Sequence, residues 1–489
     1  MTARKFLLSI FSIVLSICAK ADNSSIIYAD QYANLTYQAI IDKVCPTAGC
    51  TIYATQANAN LDLGTLDPGA KVVTIYLGPF TYKVNTVVLR SGLQIIGNNS
   101  SSALNSTNLQ AKSAQPVFVL PQANDSAVQH VYLRGFHVQA WPNNVQNMPA
   151  DAFFLDCSST TNTGLWYSLF EDIYIQNFNG IGLHFRCRND NYLAVNQFNT
   201  FINITVIRAG SGNAVRIEGA NGALKFINGM FNGHGKASGG TNIYVGIYGT
   251  NKFAYPFSVD FDGTTSQAAD VAVNVNGCLN CRFVNGHHEK LNGGYLVSNG
   301  AGNTSLLIDH SYFAPDKSYM NRGDGYLVNV TGTAPNNSVV FSNNTFGGTP
   351  DHVLAGPIAA YASFGNTSAV PGAGGATVSG TPFYPYTNFP YLKISTGIQN
   401  NGTGFQHKRV PGCTTADGIG AKCKVTISWN TPFADTNYTA TCSTSAGTSG
   451  TGYVMASDRT LSAIDVYVIN VTSSNRFTAN EVACIAVHD

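Results

Sequence analysis

The sequence predicts an all-β solenoid, a pile of short-stranded coils sharing one axis. Three observations predict it. The first is a phrase that returns between Leu133 and Phe346: an apolar residue, a variable one, then mostly a small, acidic or amide residue. It reads Leu133-Arg134-Gly135, Phe170-Glu171-Asp172, Phe201-Ile202-Asn203, Phe226-Ile227-Asn228, Phe257-Ser258-Val259, Phe283-Val284-Asn285, Leu307-Ile308-Asp309 and Phe341-Ser342-Asn343. Successive starts lie 24 to 37 residues apart, the period of folds in which each unit stacks on the next. The second is local pattern: each phrase sits in a short alternating run of β-branched and aromatic residues, which reads as strand. Six of the eight third positions are Asn or Asp, and in register these would hydrogen-bond along the axis as a ladder. The third is composition. Of 489 residues 11% are charged, Gly numbers 48, and helix-favouring Lys and Glu are scarce, as suits an all-β chain. A β-sandwich or propeller also strings short strands between turns, but uneven coil lengths fit a stack with variable loops better than fixed blades.

In chain order, residues 1–21 read as a secretory signal. Arg4 and Lys5 precede the apolar run Phe6–Ile17, and Ala19-Lys20-Ala21 supplies a small-residue cleavage site. Twelve apolar residues are too few to span a bilayer, so secretion without membrane insertion is expected. Cleavage would leave ten cysteines, an even number suited to an oxidising compartment. Neighbour pairing is expected: Cys45 with Cys50, Cys157 with Cys187, Cys278 with Cys281, Cys413 with Cys423, and Cys442 with Cys484. Cys157 and Cys187 close equivalent strands of adjacent coils, within disulfide reach. Cys278-Leu-Asn-Cys281 also resembles half a zinc site, but no second pair lies nearby. Residues 29–44 carry Tyr32, Leu35, Ile40 and Ile41 at helical spacing, a short helix that would cap the open end of the stack.

A second strand follows most phrases, over Ala152–Cys157, Ile181–Cys187, Ala214–Gly219, Val271–Gly277, Gly294–Asn299 and Gly325–Val330. Residues 366–390, rich in Gly, Pro and Ser, read as a linker. Residues 391–489, with runs such as AIDVYVIN, read as a small β-sandwich domain. That domain would bind glycan, cap the coil or make the protein an oligomer.

The stretches VTIYLGPFTYKV, LRGFHV and FEDIYIQNFNGIGLHF resemble the single-stranded right-handed parallel β-helix of the pectate-lyase-like superfamily. The resemblance spans roughly residues 25–365 and implies a fold rather than a chemistry. In its polygalacturonase branch the catalytic carboxylates follow an Asn-Thr-Asp-Gly type turn. Here the corresponding turns read Ala150-Asp151-Ala152, Phe178-Asn179-Gly180 and Gly212-Asn213-Ala214, so the branch's full motif is absent.

Alternation along the second strands sends Leu155, Cys157, Leu183, Phe185, Cys187, Val215 and Ile217 inward. Stacking then sets Asp156, Arg186 and Glu218 in one outer column, with His184 and Arg216 beside them. Such a surface suits a glycoside hydrolase, which needs one protonated and one ionised carboxyl; Asp156 and Glu218, two coils apart, are the expected pair. It also suits a polysaccharide lyase, with His184 as base and Arg186 or Arg216 neutralising a sugar carboxylate. No cofactor is expected for hydrolysis; Ca2+ enters only with the lyase reading. A ladder of alternating charges that merely stabilises strands accounts for the same residues.

A second cluster, Gly286-His287-His288-Glu289-Lys290 with Asp309 and His310, offers His287 as a binding residue. It lies near Gly233-His234-Gly235, which resembles a polygalacturonase element. Trp141, Trp166, Tyr167, Tyr174 and Tyr192 offer flat faces for sugar rings. Net charge is +1, so no electrostatic footprint for nucleic acid appears. The expectation is a secreted protein acting on polysaccharide, more a hydrolase than a lyase. The other class is a non-catalytic, tailspike-like glycan-binding or adhesion protein.

Overall fold

A computed structural model gives the architecture. It describes residues 25–100, 105–122, 127–140, 151–159, 164–178, 180–188, 194–207, 213–232, 240–248, 255–298, 304–315, 326–331, 337–347, 352–355, 361–364, 367–368, 377–378, 381–382, 405–429, 432–433, 436, 438–446, 452–472 and 475–488. The expected signal over 1–21, with Trp141, Tyr192 and Gly233-His234-Gly235, lies outside the described residues. The chain divides into two compact units, Met1–Pro390 and Tyr391–Asp489.

The first unit is a right-handed parallel β-helix. Each coil contributes to three long sheets, and strands of successive coils pair in parallel. The first sheet holds the recurring phrases, in Thr200–Ile202, Lys225–Ile227, Asp260–Asp262, Cys278–Val284 and Thr304–Asp309. The second includes Asn108–Ala111, Thr205–Ile207 and Met230–Asn232. The third runs through Phe118–Val119, Phe153–Cys157, Leu183–Cys187, Val215–Glu218 and Thr241–Gly246. A short fourth sheet carries Val128–Gln129, Leu165–Trp166, Asn196–Gln197 and Asn221–Gly222.

The phrases recur for two physical reasons. Their apolar residue stacks in the core: Phe170, Phe201, Phe226, Phe261 and Phe283 follow one another at ring-centroid distances of 4.7, 4.8, 4.5 and 4.6 Å. These separations match the strand spacing, so each of these five coils buries a ring against the next. The third residue makes the bend from first sheet to second in the left-handed region. Asp172, Asn203, Asn228, Asn285 and Asn343 have φ of 51, 54, 54, 55 and 51°, which Asn and Asp tolerate best among residues with a Cβ. The amide ladder is present in part: Asn203 Nδ2 donates to Asp172 Oδ1 at 2.9 Å, and Asn285 Nδ2 to Asp262 Oδ1 at 2.8 Å.

Two phrases are corrected by register. Phe226 pairs with Phe261, not Phe257, so Gly263 (φ 66°) makes that bend and Phe257 bridges to Gly222 instead. Phe283 pairs with Ile308, so the bend falls on His310 (φ 49°), one residue beyond Asp309. The strand Thr241–Gly246 had no counterpart among the expected second strands. The pieces Thr367–Ser368 and Thr377–Val378, inside the expected linker, still pair with preceding coils.

At the start of the chain a 3-10 turn, Ala29–Tyr32, precedes an α-helix, Tyr37–Lys43. Thr36 caps the helix by accepting from Ala39 N at 3.1 Å. The helix buries Tyr37, Ile40 and Ile41, so Tyr37 takes the place expected of Tyr32 and Leu35. Disulfides join Cys45–Cys50, Cys157–Cys187, Cys278–Cys281, Cys413–Cys423 and Cys442–Cys484. No helix among the described residues is long and apolar enough to cross a membrane.

The second unit is a small β-sandwich of two antiparallel three-stranded sheets. Phe405–Pro411, Ala479–His488 and Tyr438–Ala446 form one; Lys422–Ser428, Ala463–Asn470 and Gly452–Arg459 form the other. Its core holds Ile427, Trp429, Phe433, Tyr438, Val466 and Phe477.

Candidate functional site on the third sheet

The third sheet brings five of the expected residues together on its outer side. Asp156 is in register with Arg186 and Arg186 with Glu218, while Phe154, His184, Arg216 and Tyr244 follow one another in the adjacent column. Inward neighbours Leu155, Phe185 and Ile217 are fully buried, which fixes the outward direction of the charged set.

Each charge on this surface is paired. Arg186 grips Asp156 with two bonds, Nη2 to Oδ2 at 2.5 Å and Nε to Oδ1 at 3.1 Å. The Arg186 guanidinium also lies 4.5 Å from the Phe154 ring centroid and 5.3 Å from that of Tyr248. Arg216 donates from Nη2 to Glu218 Oε1 and from Nη1 to Asn213 Oδ1 at 3.2 Å, over the Tyr244 ring. His184 is bracketed by two carboxylates: Nδ1 lies 2.7 Å from Asp151 Oδ2 and Nε2 lies 3.1 Å from Glu218 Oε2. Asp151 itself is anchored by the Ile181 N–H at 2.7 Å.

Side-chain exposure separates the cluster into two layers. Asp151, His184 and Glu218 keep 16, 10 and 8% of their surface, whereas Asp156, Arg186 and Arg216 keep 27, 28 and 34%. The inner layer is therefore a buried carboxylate–imidazole–carboxylate triad, and the outer layer presents groups to solvent.

The electrostatics follow from these partners. Burial favours the neutral imidazole of His184, but its hydrogen bonds to Asp151 and Glu218 outweigh burial and raise its pKa above 6.5. Burial also opposes the ionised Glu218, yet hydrogen bonds from His184 and Arg216 hold its pKa below 4.5. For Asp156, burial is again outweighed, by Arg186 and then Ser158, and its pKa is lowered from 3.8. Both carboxylates are therefore favoured as ionised, and their bonds to His184 favour its protonated form.

The other expected residues lie elsewhere. Tyr174 and His287 are on the second sheet, in the row that includes His137 and Thr265. Trp166 is on the fourth sheet, where its Nε1 donates to Val195 O at 2.8 Å. Tyr192 is outside the described residues. His288 faces inward, is 1% exposed, and burial pushes its pKa down to about 3. Among the described residues, no three His, Cys, Asp or Glu side chains converge as a metal site.

Sequence reasoning missed Asp151 and Tyr244. Asp151 stands in a turn two residues before its strand, where alternation says nothing about direction. Tyr244 needed only one more coil of the same stacking argument, since Ile243 and Val245 continue the inward row.

No protein-family model matches this sequence, and no curated protein matches it. Among solved structures the chain is similar to the Dettilon tailspike protein, at 12% identity and TM-score 0.35 over 85% of this chain and 88% of that one. It is similar to the tailspike protein of Acinetobacter baumannii phage AM24, at 9% identity and TM-score 0.43 over 95% and 83% of the two chains. A third likeness is to DFA-IIIase from Arthrobacter chlorophenolicus A6, at 12% identity and TM-score 0.34, covering 62% of this chain and 85% of that one.

Proposed function

We propose that the protein is a secreted glycan-acting β-helix protein that hydrolyses a glycosidic bond on the outer side of its third sheet. One observation carries this reading: His184, outward-facing yet buried, is bracketed by the carboxylates of Asp151 and Glu218, which favour its protonated form, beside a partly exposed Asp156. Asp156 and His184 sit on neighbouring strands as diagonal neighbours, a separation of about 7–8 Å. That residue spacing is of the order of the roughly 6.5–9.5 Å left between two carboxyl groups when water enters from the far side of the sugar.

In this mechanism Asp156 accepts a proton from the attacking water, and His184 gives the leaving glycosidic oxygen its Nε2 proton, exchanging the longer bond to Glu218 for one to the substrate while Nδ1 stays on Asp151. Glu218, expected as half of a carboxylate pair, has a positioning role instead, because its lowered pKa leaves it no proton to give. Arg216 and Asp151 complete the holding frame, and Arg186 orients Asp156. Phe154 and Tyr244 offer the apolar faces that sugar rings prefer. The mechanism uses no cofactor. The five disulfides suit an oxidising, extracellular setting.

The test is a panel of plant, microbial and host polysaccharides assayed for new reducing ends and for the ultraviolet absorbance of an unsaturated sugar. Reducing ends alone support hydrolysis, and loss of roughly 10²–10⁴ in rate is expected for Asp156→Asn and for His184→Gln. Unsaturated products would mean elimination. Retained binding with no product would mean a glycan-binding protein. If both variants keep full activity, the assignment of acid and base is wrong.

A further inference from the structure

The third sheet extends beyond the triad toward the start of the chain. There a groove of about 840 Å³ opens, lined by Asp67, Arg90, Gln115, Gln122, Phe154 and Asp156 among others. Its far wall is another closed ion pair: Arg90 Nε donates to Asp67 Oδ1 at 2.7 Å and Nη2 to Oδ2 at 2.8 Å. Val88, Val119 and Phe154 lie in register across its floor, and His184 continues the same row beyond it. Three strand spacings separate Val88 from His184, about 14 Å. The groove and the triad thus form one continuous track along the helix axis, long enough for an oligosaccharide rather than a single sugar.

The charges along this track cancel. Asp67, Asp151, Asp156 and Glu218 face Arg90, Arg186, Arg216 and the imidazole of His184, and each of these groups lies within 3.1 Å of a partner of the other kind. A polyanion bound here would need cations to neutralise it, and these arginines are already committed to carboxylates. Closed Asp–Arg pairs beside glutamine amides instead present fixed acceptors and donors, which suit hydroxyl groups.

We propose that the glycan taken by this face is uncharged, and that its end remote from the cleaved bond is held in the Asp67–Arg90 groove. This rests on the glycan-acting reading above and narrows its substrate class. Asp67 and Arg90 are binding residues here, apart from proton transfer.

The experiment measures binding of the full chain to two immobilised panels. One holds neutral oligosaccharides of gluco-, manno-, xylo- and fructo-type; the other holds oligogalacturonate, oligoalginate and sialylated oligosaccharides. Expected is binding to a member of the neutral panel that changes less than about twofold between about 50 and about 500 mM NaCl. Asp67→Asn keeps the acceptor for the Gly69 N–H but leaves the Arg90 charge uncompensated. It should weaken that binding about tenfold or more and give the variant new, salt-sensitive affinity for the acidic panel. Arg90→Gln should weaken neutral binding without the acidic gain, with circular dichroism verifying that both variants fold. Wild-type binding confined to the acidic panel overturns the proposal and leaves the glycan-acting reading standing. Neutral binding that neither variant changes overturns the groove assignment. Binding to neither panel overturns both readings together.

Discussion

Replacing Glu218 with Gln tests the buried triad directly. In the wild type Glu218 accepts from Arg216 and from His184 Nε2, at 3.1 Å for the latter, with 8% of its side chain exposed. Gln preserves one acceptor oxygen but turns an N–H2 toward a second donor, and the cluster gains a net positive charge. Removing one partner of a buried pair costs about 3–5 kcal/mol; the retained hydrogen bond returns about 1 kcal/mol, leaving a loss of about 2–4 kcal/mol. The loss should depend on pH. His184 has a raised pKa in the folded protein, so its contribution is fully present below its ordinary value of 6.5 and is lost as pH rises through the folded value. Glu218 has a lowered pKa, so its contribution is present above 4.5 and is lost as pH falls through the folded value. The triad therefore stabilises most between about pH 4.5 and 6.5. In the variant, a neutral His184 can accept from the new amide, so the destabilisation should shrink above neutrality. Urea unfolding at a series of pH values, with hydrogen exchange read over Leu183–Cys187 and Val215–Glu218, measures it. A penalty independent of pH, or wild-type stability that climbs steadily through neutrality and beyond, would refute the protonated-imidazole account.

Two further outcomes concern the frame. Phe226→Ala removes a ring that is 1% exposed and stacked on Phe201 and Phe261 at 4.8 and 4.5 Å; a loss of about 3–5 kcal/mol is expected. Because coils couple to neighbours, exchange should quicken in the adjoining coils while the C-terminal sandwich keeps its protection; uniform loss across both units would refute this. The paired change Cys157→Ser and Cys187→Ser opens a link of sequence separation 30. It should cost about 3–4 kcal/mol by loop entropy, read as a lower urea midpoint that reductant no longer shifts.

Much of the frame was legible because a β-helix writes its geometry into short-range alternation. Phe201-Ile202-Asn203 states which residue faces in and which bends, and the next coil repeats it. The column Asp156, Arg186, Glu218 followed from the same rule, since equal parity on stacked strands is enough to make neighbours. What alternation does not encode is contact outside strands. Asp151 reaches His184 from a turn, and its position there depends on a bond to the Ile181 N–H. Nor does parity assign sheets: Tyr174 and His184 both face outward, but the corner between their strands sends them to different sides. The misplaced phrase at Phe257 shows the third limit. Two Phe residues four apart, Phe257 and Phe261, satisfy the pattern equally, and only pairing with Phe226 decides between them.

The single-residue bends have an evolutionary and practical reading. Between the first and second sheets one left-handed residue does all the turning, so that corner has no slack for added chain. The next corner does: it contracts to Ala268 or Lys290 within the long strands Thr265–Asn276 and His287–Val297, yet takes residues 112–117 between Asn108–Ala111 and Phe118–Val119 in an earlier coil. Length variation, whether natural or engineered, should therefore be admitted on the flank beside the third sheet and refused at the Asn-bearing edge. Grafted loops intended to alter recognition belong at the permissive corner, where they would overhang the track without disturbing the stack beneath it.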